Sequence, residues 1–316
     1  MANSEGLNKN LNANSNEIIL EENKIPFLVK ARPYLIILPA LILTIGILYP
    51  FATAIYLSLT DFSFRSIDYK FVGLRNWINM FSSKDFWHAC LVTAQYAIAT
   101  TGSEMIAGLI MALLLVRDSR YTKILRVVLI FPLMIAPVIA TLIWQLMINN
   151  SVGIVEKFLN LFGVYNFPWA SSASTALFTA AMIDFWVYTP FIMLLMLAGL
   201  QSLPKSPYES AKIDGGSPWF TFRTLTLPLL KPFILIAVIF RLMASLQEYG
   251  IIFALTKGGP GDTLMNLSLT GYNMGFAFSS LGKAVPYLLV LWVVIYIISQ
   301  KLVGAWLRGQ RAAQGQ

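Results

Sequence analysis

Six long apolar stretches constrain this chain more than any other feature of its sequence. A membrane-spanning helix needs about 20 mainly apolar residues, because its backbone must satisfy its own hydrogen bonds in lipid. Only 12% of the 316 residues are charged, whereas a soluble domain carries about a quarter. The sequence therefore predicts an all-α integral membrane protein, and the predicted spans are residues 33–59, 89–116, 127–148, 174–200, 232–255 and 285–307.

The flanking segments divide the chain into one membrane domain and two short tails. Residues 1–30 are predicted to be a disordered cytoplasmic tail, because most of them are polar. Residues 31–310 form the predicted membrane domain, and residues 311–316 form a second tail. The single cysteine and single histidine exclude an internal disulfide and a Cys/His metal cluster. No phosphate-binding loop or catalytic motif occurs, so we expect no catalytic residue, no metal and no cofactor in this chain.

The basic residues indicate how the chain is oriented. With the N-terminus inside, fifteen of the 23 Lys and Arg residues fall on the inner side and seven on the outer side, while Arg241 lies within a span. Cytoplasmic loops carry an excess of Lys and Arg. The bias predicts that both termini and the loop 201–231 are cytoplasmic, and it explains the net charge of +8 without a nucleic-acid partner.

The loop 201–231 has strong local signals for two short helices. Ser206 and Pro207 are favourable residues at a helix start. Gly215 can end that helix in a left-handed conformation. Ser217 repeats the start signal, and Pro228 is predicted to end the second helix. The sequence therefore predicts two short helices that meet at a glycine corner, which is typical of a docking surface and not of a span.

The same loop resembles the EAA loop in permease subunits of bacterial ABC importers. Glu209-Ser210-Ala211, Gly215 and Leu225-x-Leu227-Pro228 follow the spacing of that motif, with Ser210 in place of Ala and Leu225 in place of Ile. The resemblance implies the six-helix bundle of a type I ABC importer permease, with a coupling helix that inserts into an ATPase subunit. The residues that it assigns to ATPase coupling are Glu209, Ser210, Ala211, Asp214, Gly215, Phe222 and Pro228.

Two further segments resemble elements of the sugar-transporting group of these permeases. They are Phe71-Val-Gly-Leu-Arg-Asn-Trp77 and Leu255-Thr-Lys-Gly-Gly-Pro260. The resemblance implies a carbohydrate substrate and a multi-pass location in the bacterial cytoplasmic membrane. It also implies three kinds of protein partner besides membrane lipid: a second, similar permease, two ATP-binding subunits that carry ATP and Mg²⁺, and an extracytoplasmic solute-binding protein.

Ionisable residues inside the spans mark candidate substrate positions, because burying them in a membrane costs free energy. Arg241, Ser245 and Glu248 fall on one helix face, and Asp184 lies four residues before Tyr188. Together with the resemblance to maltose-type permeases, this predicts a substrate-lining set of Asp184, Val187, Tyr188, Arg241, Ser245, Gln247 and Glu248.

Other interpretations of these residues stay open at this point. Asp184 could bond only to a neighbouring helix, and Arg241 could pair with Glu248 or Asp184 to lock the bundle. Glu104 is interpreted as packing against a partner helix or the lumen. The same charges could form the relay of an ion-coupled secondary transporter, or Arg241 could attract an acidic sugar or a sugar phosphate. A membrane enzyme is a third possibility, but the required residue sets are missing. The sequence does not say which sugar is carried.

Overall fold

The computed structural model describes residues 27–66 and 68–313, and it describes side chains within residues 32–309. Residues 1–26 and 314–316, which belong to the predicted tails, lie outside the described residues, whereas residues 27–30 and 311–313 are helical. The regular secondary structure of the described part is helical, apart from one isolated antiparallel bridge between Thr60 and Phe71. The chain divides between Tyr56 and Leu57 into two compact units.

Helix α1 (Phe27–Ser58) accounts for the described residues of the first unit. The second unit contains twelve further α-helices within the described ranges. They are α2 (Arg75–Ser82), α3 (Lys84–Leu115), α4 (Arg120–Ile130), α5 (Pro137–Met147), α6 (Ile154–Asn160), α7 (Ala173–Ser202), α8 (Ser206–Ile213), α9 (Pro218–Thr221), α10 (Leu227–Leu246), α11 (Gly250–Thr256), α12 (Leu267–Tyr272) and α13 (Leu281–Ala313).

Five helical segments are long and apolar enough to cross a membrane, and a bent pair brings the number to six. This agrees with the predicted integral membrane protein with six spans. The five segments are Arg32–Ser58, Lys84–Leu115, Ala173–Ser202, Pro218–Leu246 and Leu281–Gly309.

The predicted third span, residues 127–148, is not one straight helix. Helices α4 and α5 belong to a pair that is bent by 101° at a short break. Pro132 lies in a 3₁₀ turn, Phe131–Met134, and Pro137 begins α5 directly after Ala136, whose ψ of 134° is not helical. A proline lacks the N–H that would continue a helix and restrains the residue before it to extended conformations. The prolines therefore explain why this span is broken.

The predicted fifth span, residues 232–255, is also interrupted. Helix α10 ends at Leu246, and α11 begins at Gly250. Between them, the Glu248 carboxylate accepts a hydrogen bond from the backbone N–H of Ile251 at 2.8 Å. The side-chain amide of Asn266 donates to the Glu248 carbonyl. These polar side chains replace backbone hydrogen bonds of the helix, so the chain turns in the middle of the predicted span.

The core of the second unit is formed where α3 packs along α7, with α10 against both. Gly108 of α3 allows the close approach, because a Cβ atom at this position would lie 2.6 Å from Cγ2 of Ile192 in α7. The three helices bury small and aliphatic residues, among them Ala112, Met193 and Ala237. This arrangement places the polar side chains of three different helices within reach of one another.

Candidate functional site

A buried ion cluster joins α3, α7 and α10. Arg241 donates from Nε and Nη2 to the two carboxylate oxygens of Glu104, with an Nη2–Oε1 distance of 3.0 Å, and Nη2 also donates to Oδ2 of Asp184. The side chains of Arg241, Glu104 and Asp184 are 2%, 0% and 0% exposed. Because removing charges from water costs several kcal/mol for each ion, such a cluster persists only when its charges are paired. The cluster therefore holds three helices together.

The Arg241 guanidinium also lies over the ring of Tyr188, with Cζ 4.2 Å from the ring centroid. This is a cation–π contact within the range in which the ring attracts a cation. Among the described residues, Nη1 of Arg241 has no hydrogen-bond partner. The groups that bind this guanidinium are therefore two carboxylates and one aromatic ring.

The cluster resolves part of what the sequence left open. Arg241 pairs with Asp184, as one of the alternatives predicted, and the described residues contain no ion pair between Arg241 and Glu248. Glu104 was interpreted as facing a partner helix or the lumen, whereas its carboxylate binds Arg241 within the chain. A membrane interior demands partners for every charge. That demand is the signal that could have linked Glu104 to Arg241.

The structure does not present the seven predicted lining residues as one exposed set. Gln247 is exposed and Tyr188 is half-buried, whereas the other five are buried. Ser245 is 1% exposed and accepts a hydrogen bond from the Thr100 hydroxyl at 3.0 Å. Val187 is likewise 1% exposed, and Glu248 is 9% exposed. Asp184, Tyr188 and Arg241 are the members of the set that meet in the ion cluster.

A row of aromatic rings begins at Tyr249, two residues after the exposed Gln247, and the sequence analysis did not identify it. Tyr249 is stacked on Phe253 with ring centroids 5.1 Å apart, and Tyr249 and Tyr272 lie 4.9 Å apart. Tyr272 lies 5.1 Å from Phe276, which is 62% exposed. The interruption between α10 and α11 brings these residues together, so a straight span would not have predicted the row. The row supplies partly exposed aromatic faces, and the side-chain amide of the nearby Gln247 donates to the carbonyl of Met243 at 3.1 Å.

The loop 201–231 has the predicted geometry of two helices at a glycine corner. Helix α8 ends before Gly215, whose φ of +73° lies in the left-handed region. The backbone N–H of Gly216 donates to the carbonyl of Ala211 at 2.8 Å, which closes the end of α8. The Ser217 hydroxyl accepts from the N–H of Phe220 at 3.2 Å and caps α9. The predicted helix–corner–helix structure is thus confirmed.

Most residues assigned to ATPase coupling lie on the surface of this loop. Ala211 and Phe222 are half-buried, whereas the exposed members are Glu209, Ser210, Asp214, Gly215 and Pro228. Three large apolar side chains, which the sequence analysis did not select, are also exposed: Ile213 by 86%, Trp219 by 68% and Phe220 by 56%. Exposed apolar side chains that cluster on a polar loop indicate a protein contact.

Pro228 does not end the second helix, which corrects the prediction. A π-helical turn, Phe222–Thr226, follows α9, and the N–H of Leu227 donates to the carbonyl of Phe222. The chain then continues into α10, so residues 218–246 form one helical segment. A π turn widens the helix and shifts the hydrogen-bond register by one residue. Pro228 therefore stands near the start of a new ladder, where a proline is tolerated.

Comparison with known proteins was made at the levels of family, sequence and fold. The family described as "Binding-protein-dependent transport system inner membrane component" matches residues 104–308. The trehalose/maltose transport system permease protein MalF of Thermococcus litoralis is 35% identical over 278 residues, which cover 87% of this chain and 94% of that protein. The sulfoquinovosyl glycerol transport system permease protein SmoG of Agrobacterium fabrum is 32% identical over 270 residues, which cover 85% and 86%.

One solved structure has the same fold over most of both chains. It is a chain of a bacterial ABC transporter involved in the import of the acidic polysaccharide alginate. The TM-score is 0.77 at 20% sequence identity, and the match covers 89% of this chain and 97% of that chain. Together with the five to six membrane-capable helices, these findings identify a multi-pass transport subunit. The chain belongs to the family of binding-protein-dependent transport system inner membrane components.

Proposed function

We propose that this chain is a permease subunit of an ATP-driven ABC importer and that it translocates a carbohydrate. Its family membership supports the transport role, and the trehalose/maltose permease that is 35% identical supports the substrate class. The observation that carries the proposal is the row of partly exposed rings Tyr249, Phe253, Tyr272 and Phe276, which begins two residues after the exposed Gln247. A sugar offers hydroxyl groups to an amide and apolar ring faces to aromatic side chains.

The predicted substrate-lining residues would then have different roles. Gln247 and Tyr188 are accessible enough to contact the sugar. Asp184 and Arg241 hold the helices that carry these two residues. The other buried members of the set have supporting roles: Val187 and Ser245 pack between helices, and Glu248 fixes the start of α11 through its bond to Ile251.

The loop 201–231 would be the site at which an ATPase subunit drives the permease. Glu209, Ser210, Asp214 and Gly215 are exposed there together with the apolar Trp219. Two ATP-binding subunits, carrying ATP and Mg²⁺, would bind this chain and a second, similar permease. A solute-binding protein would deliver the sugar from outside, and both termini would lie in the cytoplasm of the bacterial cell.

The helical segment Pro218–Leu246 gives this coupling a mechanical route. It runs from the exposed loop to the interruption at Gln247, and about 29 residues of helix span roughly 44 Å. Arg241 fastens this segment to α3 and α7 through Glu104 and Asp184. A movement imposed on α9 would therefore tilt three helices together, as expected for alternating access by rigid-body motion.

The ion cluster also favours an uncharged sugar over an acidic one. Arg241 is the cation that could have attracted a carboxylate or phosphate, but it is 2% exposed and bound by two carboxylates. The ionisable residue next to the exposed Gln247 is Glu248, an acid and not a cation. The ion-relay alternative receives no support from the family, whose description names dependence on a binding protein.

The function can be tested by purifying the chain from its own membranes, identifying co-purifying polypeptides and reconstituting the complex in vesicles. We expect a second permease and an ATPase, and ATP-dependent uptake of maltose or trehalose once the binding protein is added. Gln247→Ala should lower this uptake, whereas Gln300→Ala, an exposed amide in α13, should not. Uptake driven by an ion gradient without ATP would refute the proposal.

A further inference from the structure

A cavity lies near the end of α7 that is opposite the loop 201–231. It has a volume of about 330 Å³ and lies between the end of α5, the segment before α7 and the end of α11. Helix α7 runs from this cavity to the loop 201–231 and is 30 residues long, or about 45 Å. We name it the loop-end cavity, after the loop before α7 that lines it, and it is distinct from the loop 201–231. The lining residues used below are Gln145, Asn149, Asn150, Ser151, Phe167 and Trp169.

The lining of the loop-end cavity combines polar and apolar side chains and carries no charge. None of the described residues that line it is ionisable. The side-chain oxygen Oδ1 of Asn149 accepts from the backbone N–H groups of Ser151 and Val152 at 2.9 and 3.2 Å, so the side-chain nitrogen can donate to a ligand. Gln145 donates to the carbonyls of Ala254 and Leu255, which leaves its oxygen as an acceptor. Donors and acceptors of this kind match hydroxyl groups and do not select for an ion.

A buried carboxylate holds the aromatic wall of the cavity in place. Glu156 is 1% exposed and accepts from the backbone N–H of Asn166 at 2.6 Å and from Nε1 of Trp169 at 3.3 Å. Phe167 and Trp169 are in edge contact, with ring centroids 4.7 Å apart. The polar groups of this segment are directed toward Glu156, so the rings are pre-positioned beside the amides. A pre-positioned site loses less conformational entropy when a ligand binds.

Helix α11 connects the loop-end cavity with the proposed substrate path. Glu248 bonds to the first turn of α11 next to the exposed Gln247, and Leu255 near its last residue lines the cavity. Seven residues of helix correspond to about 10 Å. Gln145 binds the carbonyls at this end of α11, so α5 and α11 are fastened together beside the cavity. A ligand in the cavity would thus lie about two turns of helix from Gln247.

We propose that the loop-end cavity is a binding subsite for an uncharged mono- or disaccharide on its way from the solute-binding protein to the path at Gln247. Amide groups, hydroxyls and two aromatic rings surround a volume at the lower end of the range for small-molecule sites, which is about 300–1,000 Å³. The inference rests on the proposed function, because it assumes that the importer carries a carbohydrate.

The test measures sugar binding to the complete importer in nanodiscs, without the solute-binding protein. The probes are maltose and trehalose, with glucuronate as the charged comparison, and saturation-transfer NMR reports contact with the protein. Phe167→Ala should weaken binding of the neutral disaccharides roughly tenfold, because an aromatic contact is lost. Phe162→Ala is the matched control, since Phe162 lies on the same loop, is 71% exposed and does not line the cavity.

A second variant separates loss of binding from misfolding. Asn150 is exposed and lines the cavity, so Asn150→Ala should weaken binding while the importer remains assembled on gel filtration. Glucuronate should give no signal that depends on Phe167 or Asn150.

Three outcomes would overturn the proposal. One is sugar binding that Phe167→Ala and Asn150→Ala leave unchanged. Another is weakened binding of the solute-binding protein with unchanged sugar binding, which would make the cavity a protein-docking surface. The third is the absence of sugar binding in an importer that still takes up the same sugar with ATP. This last result would leave the proposed function intact, whereas an importer that takes up no carbohydrate would refute that function instead.

Discussion

The loop 201–231 and the buried ion cluster depend on the sequence in opposite ways. The loop is contiguous, largely exposed, and built from local capping bonds such as that from Phe220 to Ser217. The cluster joins Arg241 to residues 137 and 57 positions away, and its three side chains are almost fully buried. A surface that meets a partner can be encoded by neighbouring residues. A contact that holds the bundle together depends on how distant helices pack.

This comparison predicts that the cluster governs stability and that the loop governs coupling. The largest effect is expected for Arg241→Ala, which leaves the carboxylates of Glu104 and Asp184 buried without a cation. Breaking a buried pair costs about 3–5 kcal/mol. The purified importer should therefore unfold at a much lower temperature, and uptake should be lost.

The control removes all three charges together. The triple variant Glu104→Met, Asp184→Leu, Arg241→Met should recover most of the stability, because apolar replacements of whole buried ion clusters are often tolerated. A thermal unfolding scan compares the unfolding temperatures of Arg241→Ala and of the triple variant. If Arg241→Ala were as stable as the natural chain, the cluster would not hold the helices together.

Gly215→Val should impair coupling more than it impairs stability. A valine at φ +73° is strained by roughly 1–3 kcal/mol, although a Cβ atom there meets nothing within 4 Å. Relieving that strain would move α9 relative to α8. We expect ATP hydrolysis that no longer depends on transport, measured in vesicles containing the complete importer.

Gly163→Val provides a control with the same strain at a different place. Gly163 has φ +79° and similarly open space, but it lies in the segment between α6 and α7. This variant should lose comparable stability and keep its coupling. Transport that survives Gly215→Val would contradict the role of the glycine corner.

Glu209→Ala should weaken the ATPase contact and leave the fold unchanged. Glu209 is exposed in the first turn of α8, and surface changes usually alter stability by less than about 0.5 kcal/mol. Loss of a charge-assisted contact should reduce ATPase affinity roughly tenfold. The affinity can be measured as the fraction of ATPase that stays bound to the permease when the complex is washed with increasing concentrations of detergent. Asp68→Ala, an exposed acid outside the loop, should have no effect.

The smallest effect is expected for Tyr208→Phe, which tests a bond between the loop and the membrane helix. The Tyr208 hydroxyl donates to the Thr226 hydroxyl at 3.1 Å. Losing it should cost about 1 kcal/mol. Thr226→Val removes the other partner of the same bond. The double variant should therefore be no less stable than the less stable of the two single variants. Additive losses would show that the two hydroxyl groups do not interact.

The sequence predicted the loop well because its signals act over a few residues. Gly215 and Ser217 have the predicted conformations and bonds. Pro228 was interpreted wrongly, since the π turn before it shifts the helix register. Similarly, span lengths were predicted from apolar runs, but the interruptions at Pro137 and at Gln247 depend on proline geometry and on Asn266, a residue from another helix end.

The candidate site was harder to predict because its members come from separate helices. Helix-face spacing grouped Arg241 with Ser245 and Glu248, yet Arg241 binds Glu104 and Asp184 instead. The aromatic row at Tyr249 exists because the chain turns between α10 and α11. Periodicity along one helix cannot report which neighbour that helix meets.

By itself, the sequence determined the helical membrane class, the number of membrane-capable segments and the helix–corner–helix loop. Each of these follows from hydrophobicity over about 20 residues or from capping within one turn. The tertiary structure alone decided that Glu104, Asp184 and Arg241 bind one another and that an aromatic row follows the exposed Gln247. In a membrane interior, a charge must find its partner across helix interfaces, and that partner is chosen by packing.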